Sequence, residues 1–138
     1  HQLARTFWAF KQIYASEMGI GIAELGVLAC LGERDGVTQQ ELTAALRVDP
    51  SMITRTVKEM ERAHGWITRA RDPQDNRLMR VYLPEAGRQR AASIPAHAMA
   101  IEDRLTAALS GAERAELSRL LRAIEDAVRR DQGSPPAD

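Results

Sequence analysis

The segment 50–61 gathers the side chains best suited to a chemical role. One of its faces carries Ser51, Thr54, Arg55 and Lys58, and no acidic residue belongs to that face. Hydroxyl and guanidinium groups can hydrogen-bond to base edges in a DNA major groove, and cations can contact the phosphates beside them. Because a solvated amphipathic helix would show the same pattern, the DNA interpretation depends on the elements that flank this segment.

The same segment has the signals of a helix. Asp49 can cap the first turn by accepting a backbone N–H, and Pro50 suits the first helical position, where no N–H is needed. Apolar residues recur on the other face at i, i+4 and i+7, namely Ile53, Val57 and Met60. This spacing predicts a helix that packs on a core, presents its cationic face outward and ends at Gly65.

A shorter helix is predicted immediately before it, from Thr38 to Leu46. Thr38 and Glu41 have the spacing of a capping box, which marks the start of a helix. The residues expected to face the core are Leu42, Ala45 and Leu46. Only residues 47–49 separate the two helices, and two short helices joined by a tight turn form a helix-turn-helix pattern.

Two β-rich segments follow, 66–69 and 78–83, and the polar loop between them has a cation at each end, Arg71 and Arg77. A hairpin directly after a helix-turn-helix is typical of a winged helix. Across residues 50–83, seven Lys and Arg residues outnumber four Asp and Glu residues. The basic surplus therefore coincides with the elements expected to face DNA, although the whole chain has a formal net charge of zero.

Further helices are predicted on both sides of the winged helix. They cover 2–17 and 23–33 before it, and 85 to about 109 and 111–130 after it. Pro95 should kink the third of these helices, and Ser110 with Glu113 forms a capping box that starts the last one. Their apolar stripes exceed what a small winged helix can cover, which predicts a homodimer. Residues 131–138, rich in Gly, Ser and Pro, should form a disordered tail.

The predicted fold is mainly α with a small β-hairpin, in a single domain over 1–138. A winged helix-turn-helix at 36–83 lies between dimerisation helices at 1–34 and 85–130. A content of 44% hydrophobic and 28% charged residues is ordinary for a soluble globular protein. The single Cys30 excludes an internal disulfide, and no apolar run approaches the roughly 20 residues of a membrane span. We therefore expect a cytoplasmic protein with no membrane partner.

The order of these elements and three motifs resemble the MarR family of bacterial transcription regulators. Ser51-x-x-Thr54-Arg55-x-Val57-x-x-Met60-Glu61, followed by Gly65-x-Ile67-x-Arg69, is similar to the family's recognition helix and first wing strand. Asp72-x-x-Asp75-x-Arg77, followed by Val81-x-Leu83 and Gly87, is similar to its wing. Ser110-x-x-Glu113 continuing into Leu117 and Leu120-Leu121 is similar to its closing helix. Trp66 and Pro84 depart from the aliphatic residue and the threonine that are usual in the family.

The resemblance implies a homodimeric repressor that binds a pseudo-palindromic site in double-stranded DNA and is released by a small aromatic or anionic effector. It also implies a bacterial or archaeal protein associated with the nucleoid. The expected DNA-binding residues are Thr38, Gln39, Gln40, Ser51, Met52, Thr54, Arg55, Lys58, Arg69 and Arg77. Arg77 would enter the minor groove, and Asp75 would orient the wing arginine. An effector pocket would include Phe10, Tyr14 and Met18, for which ordinary packing is the alternative.

Other classes of function have less support. The sequence has no nucleophile–base constellation and no phosphate-binding glycine loop, so we expect neither an enzyme nor a cofactor. The three histidines lack ligand spacing, so no metal site is expected. Cys30 would allow a redox-sensing regulator, but it has no flanking cation and no second cysteine, which favours core packing. A winged helix that recruits a protein without binding DNA is the remaining alternative.

Overall fold

The computed structural model describes residues 1–131 of the chain. Six α-helices are present: α1 (Gln2–Met18), α2 (Ile22–Glu33), α3 (Gln39–Leu46), α4 (Pro50–Glu59), α5 (Glu85–Leu105) and α6 (Gly111–Asp131). One turn of π-helix, Met60–His64, continues α4. The strands are β1 (Val37–Thr38), β2 (Thr68–Arg71) and β3 (Met79–Tyr82). Backbone contacts divide the chain at Met99 into a first unit, 1–99, and a second unit that begins at Ala100.

The core of the first unit combines buried apolar residues of α2 with the apolar stripes of the helix-turn-helix and the hairpin. Ile53, Val57 and Met60 are fully buried, which confirms the stripe predicted for the fourth helix. Leu42 is buried as expected, but Ala45 is exposed, so its predicted inward position is wrong. Leu46 is half-buried, and a Cβ on Gly26 would lie 3.0 Å from its Cδ2 atom, so this side chain packs against α2.

The helix ends follow the predicted capping signals. Thr38 accepts the N–H of Glu41 at 3.1 Å, and Glu41 accepts the N–H of Thr38 at 2.7 Å. Ser110 and Glu113 form the same reciprocal pair at the start of α6. The helix α5 runs through Pro95 but ends at Leu105, four residues before the predicted end. Asp131 belongs to α6 rather than to the predicted tail, and the rest of that tail lies outside the described residues.

The sheet has three strands in the order β1-β3-β2, where the sequence predicted a hairpin alone. In β1, Val37 pairs with Val81 and Thr38 pairs with Arg80, and both pairings are antiparallel. In the predicted hairpin, β2 pairs with β3 from Thr68–Tyr82 to Arg71–Met79. The additional strand joins the wing directly to the start of α3, so the hairpin is anchored to the helix-turn-helix by backbone hydrogen bonds.

A close backbone contact fixes the start of α5 against the segment before β2. A Cβ on Gly87 would lie 1.8 Å from the carbonyl oxygen of Trp66, so only glycine permits this approach. The ring of Trp66 stacks on His64 with a centroid distance of 4.1 Å, and the guanidinium of Arg90 lies 5.4 Å from the Trp66 ring centroid. Trp66, which replaces the aliphatic residue expected from the motif, therefore packs between the π-turn, β2 and α5.

No described helix is by itself long and apolar enough to cross a membrane, whereas α1 and α2 meet that criterion only as a pair bent by 78°.

Candidate nucleic-acid interface

The exposed face of α4 carries the groups best placed to meet DNA. Ser51, Met52, Arg55 and Lys58 are exposed, while Ile53 on the opposite face is fully buried. Within the described residues, neither Arg55 nor Lys58 makes a hydrogen bond or an ion pair, so both cations are available to a partner. Met52 adds an apolar group, 39% exposed, that can contact a thymine methyl.

The hydroxyls of α4 are more committed than the cations. Asp49 accepts the Ser51 N–H at 2.8 Å and also accepts the Ser51 hydroxyl. These two hydrogen bonds hold the pKa of Asp49 below its usual value, the hydroxyl being the larger cause. Thr54 donates its hydroxyl to the carbonyl of Pro50 at 3.1 Å, as is common for threonine within a helix. The Ser51 and Thr54 hydroxyls thus already donate within the helix, so among the described residues the donors of this face without an internal partner are those of Arg55 and Lys58.

The helix α3 positions α4 through a side-chain contact. Gln39 donates its amide to the Thr54 hydroxyl oxygen at 3.3 Å, which links the first turn of α3 to the middle of α4. Gln40 is exposed beside it, whereas Thr38 is 7% exposed and its hydroxyl caps α3. Of the residues predicted to bind DNA, Gln39, Thr54 and Thr38 therefore have internal contacts that set the geometry of the helix-turn-helix.

The wing loop presents one highly exposed cation. The side chain of Arg77 is 86% exposed, and its guanidinium pairs with Asp75 at 3.0 Å. Asp75 also accepts the Arg77 backbone N–H at 3.1 Å, so the carboxylate holds the residue at two points. The Arg77 guanidinium lowers the pKa of Asp75, which stays ionised at neutral pH. An exposed ion pair of this kind contributes little to folding, so Arg77 can exchange Asp75 for a phosphate at small cost.

The predicted DNA-binding residue Arg69 has a different environment. Its guanidinium pairs with Glu61 at 2.8 Å, and only 22% of its side chain is exposed. Glu61 also accepts the Arg69 backbone N–H at 3.1 Å, which joins β2 to the π-turn. Arg71 on the same strand is exposed and donates to the carbonyl of Asn76 at 3.0 Å. The structure thus ties Arg69 into the fold and leaves Arg71, which is not among the expected DNA-binding residues, at the surface.

A buried carboxylate of the wing motif, to which the sequence analysis assigned no role, organises the wing loop. Asp72 is 7% exposed and accepts the N–H groups of Gln74 and Asp75 at 2.8 and 2.9 Å. Its second oxygen accepts from Arg80, and this hydrogen bond is the largest cause of its lowered pKa. The sequence signal was an aspartate at the start of a turn, which often bonds the backbone two residues on.

The three predicted effector residues differ in how far their side chains are exposed. Met18 is 5% exposed, Tyr14 is half-buried and Phe10 is 39% exposed. A cleft of about 480 Å³ lies elsewhere in the first unit, between α2 and α5, and Leu28, Gly32, Ala91 and Pro95 are among its lining residues. None of the predicted effector residues lines this cleft.

Two further sequence expectations concern reactive and metal-binding groups. Cys30 is half-buried, and burial followed by the charge of Glu33 raises the pKa of its thiol. A raised pKa reduces the thiolate fraction, which is the reactive form. Among residues 1–131, no group of three or more His, Cys, Asp or Glu side chains is arranged to hold a metal ion.

Comparisons with known proteins place these features among transcription regulators. A family model described as the MarR family matches residues 20–79. The uncharacterized HTH-type transcriptional regulator YdgJ of Bacillus subtilis (strain 168) is 35% identical over 75 residues, which are 54% of this chain and 45% of YdgJ. A putative transcriptional regulatory protein for the hcr operon of Thauera aromatica is 30% identical over 129 residues, 94% of this chain and 75% of that protein. The crystal structure of the PcaV transcriptional regulator from Streptomyces coelicolor, in complex with its natural ligand, has the same fold, with a TM-score of 0.72 and 24% identity over 91% of each chain.

Proposed function

Because this chain belongs to the MarR family of transcription regulators, we propose that it is a repressor that acts as a homodimer on a pseudo-palindromic operator. The family assignment makes the protein a DNA-binding winged-helix regulator and not an enzyme.

The proposal is carried by two exposed cationic elements, the outer face of α4 and the wing loop. Arg55 and Lys58 extend from α4 without a partner among residues 1–131, and Arg77 extends from the wing with 86% of its side chain exposed. In a winged helix, the helix fits the major groove and the wing reaches the neighbouring minor groove. We propose that Arg55 contacts base edges, that Lys58 contacts phosphate and that Arg77 enters the minor groove.

The proposed dimer rests on exposed apolar side chains of the terminal helices. On α1, Leu3, Phe7 and Trp8 are 55%, 50% and 62% exposed. On α6, Leu120, Leu121 and Val128 are 46%, 42% and 45% exposed. Burying apolar surface is favourable by about 25 cal/mol per Å², so two such stripes favour contact with a second copy. A symmetric dimer would give the operator its two half-sites.

Small-molecule release is proposed at the predicted site near Phe10, Tyr14 and Met18. The PcaV regulator, which shares the fold, has been crystallised with its natural ligand. A ligand can release DNA only by binding one conformation of the protein better than the other. A redox mechanism at Cys30 is a weaker candidate, because the raised pKa of its thiol disfavours the thiolate.

Selection of bound sites from random duplex DNA tests the proposal directly. We expect an enriched pseudo-palindrome whose half-sites are separated by about 10 base pairs or a multiple of that spacing. Enrichment of a single half-site would retain DNA binding and contradict the dimer. No enrichment above input would contradict sequence-specific binding and would favour a winged helix that recruits a protein.

A further inference from the structure

The base of the wing contains a half-buried ion pair between Asp72 and Arg80. The Asp72 side chain is 8% exposed and that of Arg80 is 34% exposed. The Nε atom of Arg80 donates to Oδ2 of Asp72. The other oxygen, Oδ1, accepts the backbone N–H groups of Gln74 and Asp75 at 2.8 and 2.9 Å. One carboxylate therefore fixes the loop backbone as far as Asp75, and its orientation depends on Arg80.

Arg80 also contacts the turn before β1, on the side of β3 away from β2. Its Nη1 atom donates to the carbonyl oxygen of Gly36 at 2.6 Å, in the turn between α2 and β1. Asp35 in the same turn accepts the N–H groups of Leu83 and Gly36 at 2.9 and 3.0 Å. The turn is thus held to both ends of the segment 80–83. Arg80 connects it to the wing loop, across 44 residues of sequence.

The exposed arginine at the wing tip depends on this connection. Within the described residues, the Arg77 side chain is held by Asp75 alone, through hydrogen bonds at 3.0 and 3.1 Å. The backbone of Asp75 is in turn held by Asp72. The link between Asp75 and Arg77 is solvent-exposed and weak, whereas the pair between Asp72 and Arg80 is half-buried, with 34% of the Arg80 side chain still exposed. The ion pair therefore contributes to the direction in which Arg77 extends, together with the hydrogen bonds from the Leu78 N–H to the Asp75 carbonyl and from Arg71 to the Asn76 carbonyl, both at 3.0 Å.

We propose that Arg80 is a positioning residue for DNA binding, which holds the wing loop through Asp72 in the conformation that presents Arg77 to the minor groove. The inference rests on the proposed function and assigns a role to a residue that need not touch DNA. Without Arg80, the Asp72 carboxylate would lose its charged partner and keep only the two backbone N–H groups, so it would be drawn towards water. The loop would then sample several conformations, and ordering it on binding would oppose association.

A double-mutant cycle tests this role by DNA affinity. The variants are Arg80→Met, Arg77→Ala and their combination, each measured on the best operator over a range of salt concentrations. Arg80→Met in the wild-type background should weaken binding by about tenfold, the loss of roughly one charge-assisted hydrogen bond. It should also lower the salt slope by up to about one released counterion, because Arg77 is no longer presented. In the Arg77→Ala background, the same change should alter neither quantity.

Arg88→Met is the matched control. Arg88 also pairs with a carboxylate, Glu85, and also donates to a backbone carbonyl, that of Leu83 at 2.7 Å. It has no hydrogen bond to the wing loop among the described residues. The control variant removes the same charge, and its effect on affinity, whatever its size, should be equal in the two Arg77 backgrounds.

Three results would overturn the proposal. Equal losses from Arg80→Met in both backgrounds would mean that Arg80 contacts phosphate itself or only supports the fold. A wild-type affinity in Arg80→Met would mean that the loop holds its conformation without the pair. If Arg77→Ala binds DNA like the wild type, Arg77 makes no contact that Arg80 could position. Binding of the operator by the wild type would still support the general DNA-binding function in that case.

A second variant keeps the test valid if Arg80→Met fails to fold. Asp72→Asn combined with Arg80→Met leaves no buried charge without a partner and keeps an amide oxygen for the N–H of Gln74. Circular dichroism and thermal melting should show a folded protein. This double variant should weaken DNA binding when Arg77 is present and have no effect in the Arg77→Ala background. Equal effects in the two backgrounds would contradict the proposal.

Discussion

At the scale of single residues, the two exposed arginines should contribute to binding in different ways. Arg55 extends from the middle of a helix whose two hydroxyl groups on the same face, those of Ser51 and Thr54, donate to internal acceptors. Arg77 extends from a loop beside a carboxylate that holds it only in part. An arginine in the major groove can recognise the acceptors of guanine, whereas an arginine in the minor groove responds to groove width and potential.

Arg55→Ala should weaken binding to the best operator by roughly 1–3 kcal/mol and weaken binding to random DNA much less. The reason is that a bidentate contact to a base is lost only where that base is present. Fluorescence anisotropy with both kinds of DNA at one salt concentration gives the two affinities. An equal loss on both would assign Arg55 to phosphate, and specificity would then depend on Ser51 and Thr54.

Arg77→Ala should lower affinity, flatten the salt dependence by about one released counterion and relax any preference for A·T pairs at the flanks of the operator. Its thermal stability should barely change, because the side chain is 86% exposed. Arg119→Ala is a suitable control, since Arg119 is an exposed arginine of α6 that pairs with Glu116 at 2.6 Å. An unchanged salt slope together with an unchanged flank preference would show that the loop makes no groove contact.

At the scale of elements, local signals predicted the helices and could not predict how they are joined. Thr38 with Glu41 and Asp49 with Pro50 act within one turn of helix, so sequence alone predicts where α3 and α4 begin. The strand β1 was missed because it has two residues, and its pairing with β3 depends on contacts more than 40 positions away. The π-turn has no sequence signal that we recognise.

The candidate site shows the same division between local and long-range information. The cationic face of α4 and the exposed Arg77 follow from spacing and polarity, and the structure places them at the surface. The bond from Arg80 to Gly36 and the pair between Arg69 and Glu61 could not be predicted, because each depends on tertiary placement. For the same reason, the sequence predicts Arg69 as a DNA-binding residue, whereas in the structure Arg71 is the more exposed of the two.

The contact between α5 and the segment before β2 predicts that alanine lowers the free energy of unfolding much more at Gly87 than at Gly111. Gly87→Ala should destabilise the fold by about 2 kcal/mol or more, because its Cβ would lie 1.8 Å from a backbone oxygen that cannot easily yield. Gly111→Ala is the control, since a Cβ there meets nothing within 4 Å and alanine favours a helix. Urea denaturation of both variants gives the two free energies of unfolding. Similar stabilities would mean that α5 can move away from Trp66 without loss.

At the scale of the whole molecule, an effector should act by changing the distance between the two recognition helices of the dimer. We expect some small aromatic acids to displace labelled operator, and Tyr14→Ala and Met18→Leu to reduce that effect. Ala92→Leu is informative beside them, because Ala92 lines the cleft between α2 and α5 and a larger side chain would fill it. Loss of the response in Ala92→Leu, with the Tyr14 and Met18 variants unaffected, would place the ligand in the cleft instead.

The proposed dimer depends on apolar side chains that a single chain leaves in water. Leu121 on α6 is 42% exposed, and a charged residue there would be buried without a partner in a symmetric interface. Leu121→Glu should therefore convert the protein to a monomer at micromolar concentration, whereas the wild type should sediment at twice the chain mass. Ala123→Glu introduces the same charge at an exposed position outside the apolar stripe and should remain dimeric. Because each monomer would hold one winged helix, the monomeric variant should also lose most of its affinity for the full operator and keep its weaker affinity for a half-site. A wild-type monomer, or a Leu121→Glu variant that remains dimeric, would exclude this face of α6 from the interface.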